Sequence, residues 1–264
     1  MKAWESWDGL IHGITLICQT LLKKTSSPPH TQSAQIRILE GMFRKSFDSL
    51  RAVQLLYGAS LPIQAQALIR VLLEARIDVE IFLRLCAEDP VAAARKLLDA
   101  MMLQKISQQR QSNFVGLDLV EGAPTPDQLL EDEKLLIERY GKDAIKAMRR
   151  HGFSGMSVED RAEQLGLSEP YNIIYRNFSR NIHNTDYMEH LGPRVTTNPD
   201  RWKQYEDLRD HLALSTAIAC VWRTAWFIDS LLGGELVDQL IECWRECTTF
   251  EHWVPVPKLM EGSP

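Results

Sequence analysis

The segment RNFSRNIHN, residues 176–184, places basic side chains at helical spacing. Arg176 and Arg180 are four residues apart, and His183 follows three residues later. On an α-helix, Arg176 and His183 differ by about 20° in direction and lie about 10 Å apart along the axis. A neutral imidazole can accept or donate a proton near physiological pH, and guanidinium groups can stabilise the charge that grows on a phosphate. The segment therefore predicts metal-independent phosphodiester chemistry on RNA, with His183 as the acid–base group and the two arginines on the phosphate.

Polar side chains surround these three residues on the predicted helix. Hydroxyl and amide groups both donate and accept hydrogen bonds, so they could position a nucleotide beside the imidazole. The supporting residues are Tyr175, Asn177, Ser179 and Asn184. The alternative is that the same side chains form only the polar edge of a packed helix.

A second segment, Ala67–Cys86, is apolar around almost its whole circumference, which predicts a central helix. One interpretation of its charges is that some face solvent and others form intrahelical pairs, each worth about 0.2–0.5 kcal/mol. The other is that Arg70 and Glu74 are buried and bind a group on another helix, because an unpaired buried charge is costly. The charges form two rows at four-residue spacing, Arg70/Glu74/Asp78 and Arg76/Glu80/Arg84.

Arg176, the polar Asn177 and five further residues before His183 resemble the Arg–polar–spacer–His motif of the HEPN superfamily. HEPN proteins are small helical bundles, and many are metal-independent endoribonucleases of toxin and antiviral systems. The resemblance implies a homodimer in which two copies of this helix form one cleft. It assigns acid–base catalysis to His183, phosphate stabilisation to Arg176 and a supporting role to Asn177. It also implies RNA as the substrate, and a partner protein or antitoxin as a regulator.

A second resemblance covers more of the chain. The segment LIRVLLE, residues 68–74, together with the spacing Tyr-x3-Ser-x3-His, is similar to a family of uncharacterised bacterial helical proteins. The resemblance implies that five side chains meet in one polar pocket inside the bundle. It permits a structural role, in which Arg70 and Glu74 satisfy other members of the pocket. The five residues are Arg70, Glu74, Tyr175, Ser179 and His183.

The elements that position these residues are predicted to be helices. Asp89-Pro90, Thr125-Pro126 and Asn198-Pro199 each combine an N-cap residue with proline at the first helical position. No sustained run of alternating β-branched residues indicates a strand. We predict an all-α fold, a single multi-helix bundle of about eight to nine helices over residues 1–248, followed by an irregular proline-containing tail over 249–264. The predicted helices span 4–24, 32–58, 62–87, 90–111, 126–150, 158–165, 170–184, 200–232 and 235–248.

Composition narrows the class of protein. The net charge of −5 argues against a broad surface that coats nucleic acid, but it permits a focal site. The five cysteines form no CxxC pair, which fits a reducing cytoplasm. The longest apolar run, Leu212–Leu232, contains Arg223 and Asp229 and therefore predicts a core helix and no membrane span. Without a Gly-rich nucleotide loop or a zinc-binding set, we expect no cofactor and no metal.

Two charged runs are given structural interpretations. The acidic run Glu131–Glu133 is expected to be a solvated helix face. The basic run Arg149–His151 falls in the last turn of a helix, where positive charge complements the macrodipole.

Three hypotheses of function remain open. The first is a HEPN-like ribonuclease. The second is a sensor or regulatory module that binds a nucleotide or small anion in the same polar pocket. The third is an interaction protein in which the pocket is only structural.

Overall fold

Side-chain caps begin several of the helices in the computed structural model, which describes residues 3–27, 33–117, 121–182 and 198–255. The Asp89 carboxylate accepts the backbone N–H groups of Val91 and Ala92 at 2.9 and 3.0 Å. Thr125 and Gln128 form a capping box, and Asn198 Oδ1 accepts the N–H of Arg201 at 3.0 Å. These caps satisfy backbone groups that a helix leaves unpaired at its start, so all three predicted helix starts are confirmed.

The described residues form ten helices and no strand, which confirms the all-α prediction. They are α1 (Ala3–Thr25), α2 (Ala34–Gly58), α3 (Pro62–Glu88), α4 (Pro90–Gln111), α5 (Pro126–Tyr140), α6 (Lys142–His151), α7 (Val158–Gln164), α8, α9 (Pro199–Leu231) and α10 (Val237–Thr249). Helix α8 is continuous but mixed: Ser168–Pro170 is α-helical, Tyr171–Arg176 is a π-helix and Asn177–Ile182 is α-helical.

One predicted helix is divided in two. The sequence pattern predicted a single helix over 126–150, but α5 ends at Tyr140 and α6 begins at Lys142. Between them Gly141 adopts φ 81°, a left-handed conformation that a residue without a Cβ atom reaches at little cost.

The chain divides into two compact units, Met1–Glu80 with Ala162–Pro264 and Ile81–Arg161. In the first unit, α1, α2, α9 and α10 pack on one another. The prediction that the α3 segment is a buried helix is confirmed, because Ile69, Leu73 and Ile77 are fully buried. The predicted boundary at residue 248 stays a prediction; α10 ends at Thr249, and Trp253 beyond it is buried.

Helix α9 forms much of the core of the first unit. Trp222 is buried, lies 4.5 Å from the ring of Trp244, and donates its indole N–H to the carbonyl of Leu240 at 2.8 Å. Among the described residues, α9 is also the single helix long and apolar enough to cross a membrane, with a mean hydropathy of 1.2 over its 18-residue apolar stretch. Because 72% of that apolar stretch is buried within the protein, α9 has the character of a core helix in a soluble protein. Cytoplasmic location stays a prediction.

The second unit contains α4, α5 and α6, which pack on one another. Its polar centre is Glu133 of α5, which is buried and pairs with Arg110 of α4 and Arg149 of α6. The expectation that Glu131–Glu133 is a solvated face is therefore wrong for Glu133, because neighbouring helices cover this carboxylate and supply its partners.

Candidate functional site

Helix α8 carries most of the predicted site, and its apolar edge is packed into the first unit. Ile174 is fully buried and Phe178 is 4% exposed, as the helical spacing predicted. Two polar side chains of α8 are used within the helix itself. Asn177 Nδ2 donates to the carbonyl of Ile173 at 2.7 Å, and the Ser179 hydroxyl donates to the carbonyl of Tyr175.

The π-helical segment of α8 sits at the centre of the candidate site. A π-helix has a wider turn than an α-helix, and such turns within α-helices occur frequently at functional sites. Within it Tyr171 and Tyr175 stack with ring centroids 4.9 Å apart and an interplanar angle of 19°. We refer to Tyr171 and Tyr175 as the tyrosine stack.

A guanidinium group contacts each ring of the tyrosine stack. Arg70 of α3 lies with Cζ 4.3 Å from the ring centroid of Tyr175, and its Nη2 donates to the Tyr175 hydroxyl at 2.6 Å. Arg176 lies with Cζ 5.5 Å from the ring centroid of Tyr171. Cation–π contacts are worth about 0.5–1 kcal/mol where exposed and more where desolvated. These contacts fix α8 to α3 and hold Arg176 beside an aromatic surface.

Exposure differs across this arrangement. Tyr171 is buried, whereas Arg70 and Tyr175 are half-buried. Arg176 and Asn177 are exposed to solvent. The arrangement can therefore present one guanidinium and one amide to an external phosphate while the second guanidinium secures the helix from inside.

The structure brings together Arg70, Tyr175 and Arg176 of the predicted site residues. This agrees with one part of the second interpretation, since Arg70 binds a group on another helix, but Arg70 and Glu74 are half-buried and not buried as that interpretation required. Glu74 is half-buried, one turn beyond Arg70 on α3. Of the other predicted residues, Arg180 belongs to α8 but its side chain lies outside the described part of the chain, as do the whole of His183 and Asn184.

Tyr171 was not predicted as part of the site. Its spacing from Tyr175, four residues on one helix, places the two rings on neighbouring turns, so the sequence did contain the signal. The notable feature is that its ring contacts Arg176, the residue predicted to hold phosphate.

Across the described ranges, no group of three or more His, Cys, Asp or Glu side chains is arranged to hold a metal ion. All five cysteines are buried free thiols. Burial raises the pKa of Cys86 to about 11, so this thiol stays protonated at neutral pH.

Comparison with known proteins identifies the family. Residues 37–199 match the model of a family described as "Family of unknown function (DUF5677)". Because the match covers more than half of the chain, the protein belongs to that family, and both α3 and α8 lie within the matched region. Neither a curated protein nor a solved structure matches the chain. The predicted similarity to an uncharacterised helical family is thus confirmed at the level of a family without an assigned activity.

Proposed function

We propose that this protein is a HEPN-like endoribonuclease that cleaves RNA without a metal ion. The observation that carries the proposal is the exposed Arg176 guanidinium beside the tyrosine stack, on a helix secured by Arg70. In sequence this arginine is followed by Asn177 and, after five more residues, by His183, the spacing of the HEPN motif.

The proposed reaction uses only groups on this chain and on the RNA. The His183 imidazole removes the proton from a 2′-hydroxyl, and the 2′-oxygen then attacks the adjacent phosphorus. The bond from phosphorus to the 5′-oxygen breaks, and that oxygen leaves as a hydroxyl after it takes a proton from the His183 imidazolium, which returns to the neutral imidazole. Arg176 stabilises the negative charge on the phosphate during the attack, with Arg180 as a second cation. The products are a 2′,3′-cyclic phosphate and a 5′-hydroxyl.

The setting proposed for this activity is a cytoplasmic homodimer in a toxin or antiviral system, with a partner protein or antitoxin as its regulator. In such a dimer His183, Arg176 and Arg180 of both subunits would line one cleft. The roles of Tyr175, Ser179 and Asn184 are to support the nucleotide or the helix beside that cleft.

The test is cleavage of labelled RNA by purified protein in EDTA. The wild type should produce 2′,3′-cyclic phosphate ends. His183→Ala should lower the rate by about 10²–10⁴, the usual contribution of a general acid–base group. Arg176→Ala should lower it by about 10²–10³, as expected when one group that stabilises the transition state is removed.

The matched control is Arg245→Ala, which removes an exposed arginine of α10 that pairs with Glu242. It should cleave at the wild-type rate. Wild-type cleavage by folded His183→Ala protein would reject the proposal. If the wild type does not cleave RNA and a nucleotide raises its melting temperature, the sensor hypothesis replaces the nuclease proposal.

A further inference from the structure

Helix α6 has an uneven distribution of charge. Lys142, Lys146, Arg149 and Arg150 follow at i, i+4, i+7 and i+8, which places all four within about 100° of the helix circumference. All four are exposed. The opposite side of the helix is apolar and buried, through residues such as Ile145 at 2% and Met148 at 1% exposure. We refer to these four cations as the basic face.

A fifth cation is held beside the basic face by a buried carboxylate. Glu133 of α5 accepts hydrogen bonds from Arg110 of α4 and from Arg149. The Glu133 side chain is 9% exposed, whereas the two arginine side chains are 48% and 32% exposed. Glu133 therefore orients both guanidinium groups at their buried end and leaves donors on each directed to solvent.

One carboxylate between two guanidinium groups leaves a net positive charge at this point. The pKa of Arg149 is lowered, first by burial and then by the neighbouring charge of Arg110. An external anion that contacts both guanidinium groups would offset this repulsion. The single acidic residue of α6, Asp143, lies at the margin of the basic face.

We propose that the basic face of α6, together with Arg110, binds the phosphodiester backbone of RNA. The four cations of α6 extend over about 12 Å of helix axis, since eight residues rise 1.5 Å each, so a linear polyanion suits them better than one phosphate. The choice of RNA rests on the proposed function. Contacts of this type set position and affinity, so binding depends on salt and is independent of base sequence.

The salt dependence of RNA binding gives the expected loss of affinity for each cation removed. If all five cations contact phosphates, the slope of log K against log salt is about −3.5 for a single strand, at about −0.7 per contact. At 0.1 M salt each lost contact then lowers affinity by about 0.7 log units, so three lost contacts lower it about 100-fold.

The experiment measures fluorescence anisotropy of a labelled single-stranded RNA with full-length Arg176→Ala protein in EDTA, which avoids cleavage during the titration. Salt is varied between about 50 and 200 mM. The test variant adds Lys142→Gln, Lys146→Gln and Arg150→Gln. These changes leave the contacts between Glu133 and its two arginines in place, so folding is preserved. The variant should bind RNA about 100-fold more weakly, with a slope about 2 units closer to zero.

The matched control removes three exposed cations from elsewhere, as Arg44→Gln, Lys134→Gln and Arg245→Gln, each of which pairs with a glutamate of its own helix. The control should bind within about threefold of the parent, because its cations make no phosphate contact. Equal loss in both triple variants would show an effect of net charge alone and would overturn the inference. Unchanged binding in the basic-face variant, or no RNA binding at low salt, would also overturn it.

The result is separable from that of the proposed function. RNA cleavage by the wild type with normal binding by the basic-face variant would reject this inference and keep the nuclease. Salt-dependent binding through the basic face without cleavage would reject the nuclease and keep the inference.

Discussion

Replacing Tyr175 by Phe removes one hydroxyl from the contact between α8 and α3 and leaves the ring in place. The Arg70 guanidinium then loses the acceptor at 2.6 Å but keeps its position near the ring centroid, at 4.3 Å. Hydrogen bonds to charged groups contribute about 1.5–3 kcal/mol to stability. Because Arg70 is half-buried, water can replace part of the lost bond, so we expect a loss of about 1–2 kcal/mol.

The matching change is Arg70→Met, which removes both the hydrogen bond and the cation–π contact. It should lower the free energy of unfolding by about 2–3 kcal/mol, the sum of the two contributions. Once Arg70 is replaced by Met, the Tyr175 hydroxyl has already lost its donor, so the further change of Tyr175 to Phe removes no additional hydrogen bond. The coupling energy between the two positions should therefore be about 1–2 kcal/mol.

The assay is urea unfolding of the wild type, both single variants and the double variant, followed by far-ultraviolet circular dichroism. The cycle serves as its own control, because effects of each side chain that do not involve the other cancel. Additive losses, with a coupling energy under about 0.5 kcal/mol, would refute the conclusion that Arg70 holds α8 through Tyr175.

Two further predictions concern carboxylates of α9, the buried Asp229 and the half-buried Asp210. Both oxygens of Asp229 accept the backbone N–H of Leu236 at 3.1 Å. Asp229→Ala should therefore lower the free energy of unfolding, measured by thermal unfolding, by about 1–3 kcal/mol. A loss no larger than that caused by Asp238→Ala, which replaces an exposed carboxylate, would contradict this prediction. Burial raises the pKa of Asp210 from 3.8 to about 6, so the folded state binds this proton more tightly than the unfolded state. The unfolding free energy of the wild type relative to Asp210→Asn should therefore fall as pH rises from about 4 to 6, then level off. The measurement is urea unfolding of both proteins across this pH range. A difference in unfolding free energy that stays constant with pH would show that folding does not raise the pKa of Asp210.

The sequence predicted the helices well because helix caps and apolar spacing depend on residues only a few positions apart. The capping box of Thr125 and Gln128 involves residues three apart, so the sequence alone contained both partners. The division at Gly141 was missed because a glycine in a helical pattern is compatible with either a continuous helix or a left-handed end. Periodicity alone does not distinguish the two.

The site was predictable only in part, for a different reason. The apolar character of α3 indicated that Arg70 needed a partner, and similarity to a family indicated Tyr175 as one of the side chains it meets. The burial of Glu133 could not be predicted in this way, because it depends on α4 and α6 packing around α5. A run of acidic residues predicts solvent exposure, and only the tertiary structure shows which of its carboxylates is covered by other helices.

The wide turn over Tyr171–Arg176 affects how this chain tolerates changes in length. A π-helical turn accommodates about one residue more than an α-helical turn over the same rise. Deleting one residue there would convert the segment to ordinary α-helix and leave the helix faces before and after it in nearly the same register, whereas a deletion within a regular α-helix rotates one side by about 100° relative to the other. A one-residue deletion at this turn should therefore be tolerated better than a one-residue deletion elsewhere in α8, a difference that sequence comparisons within the family can detect.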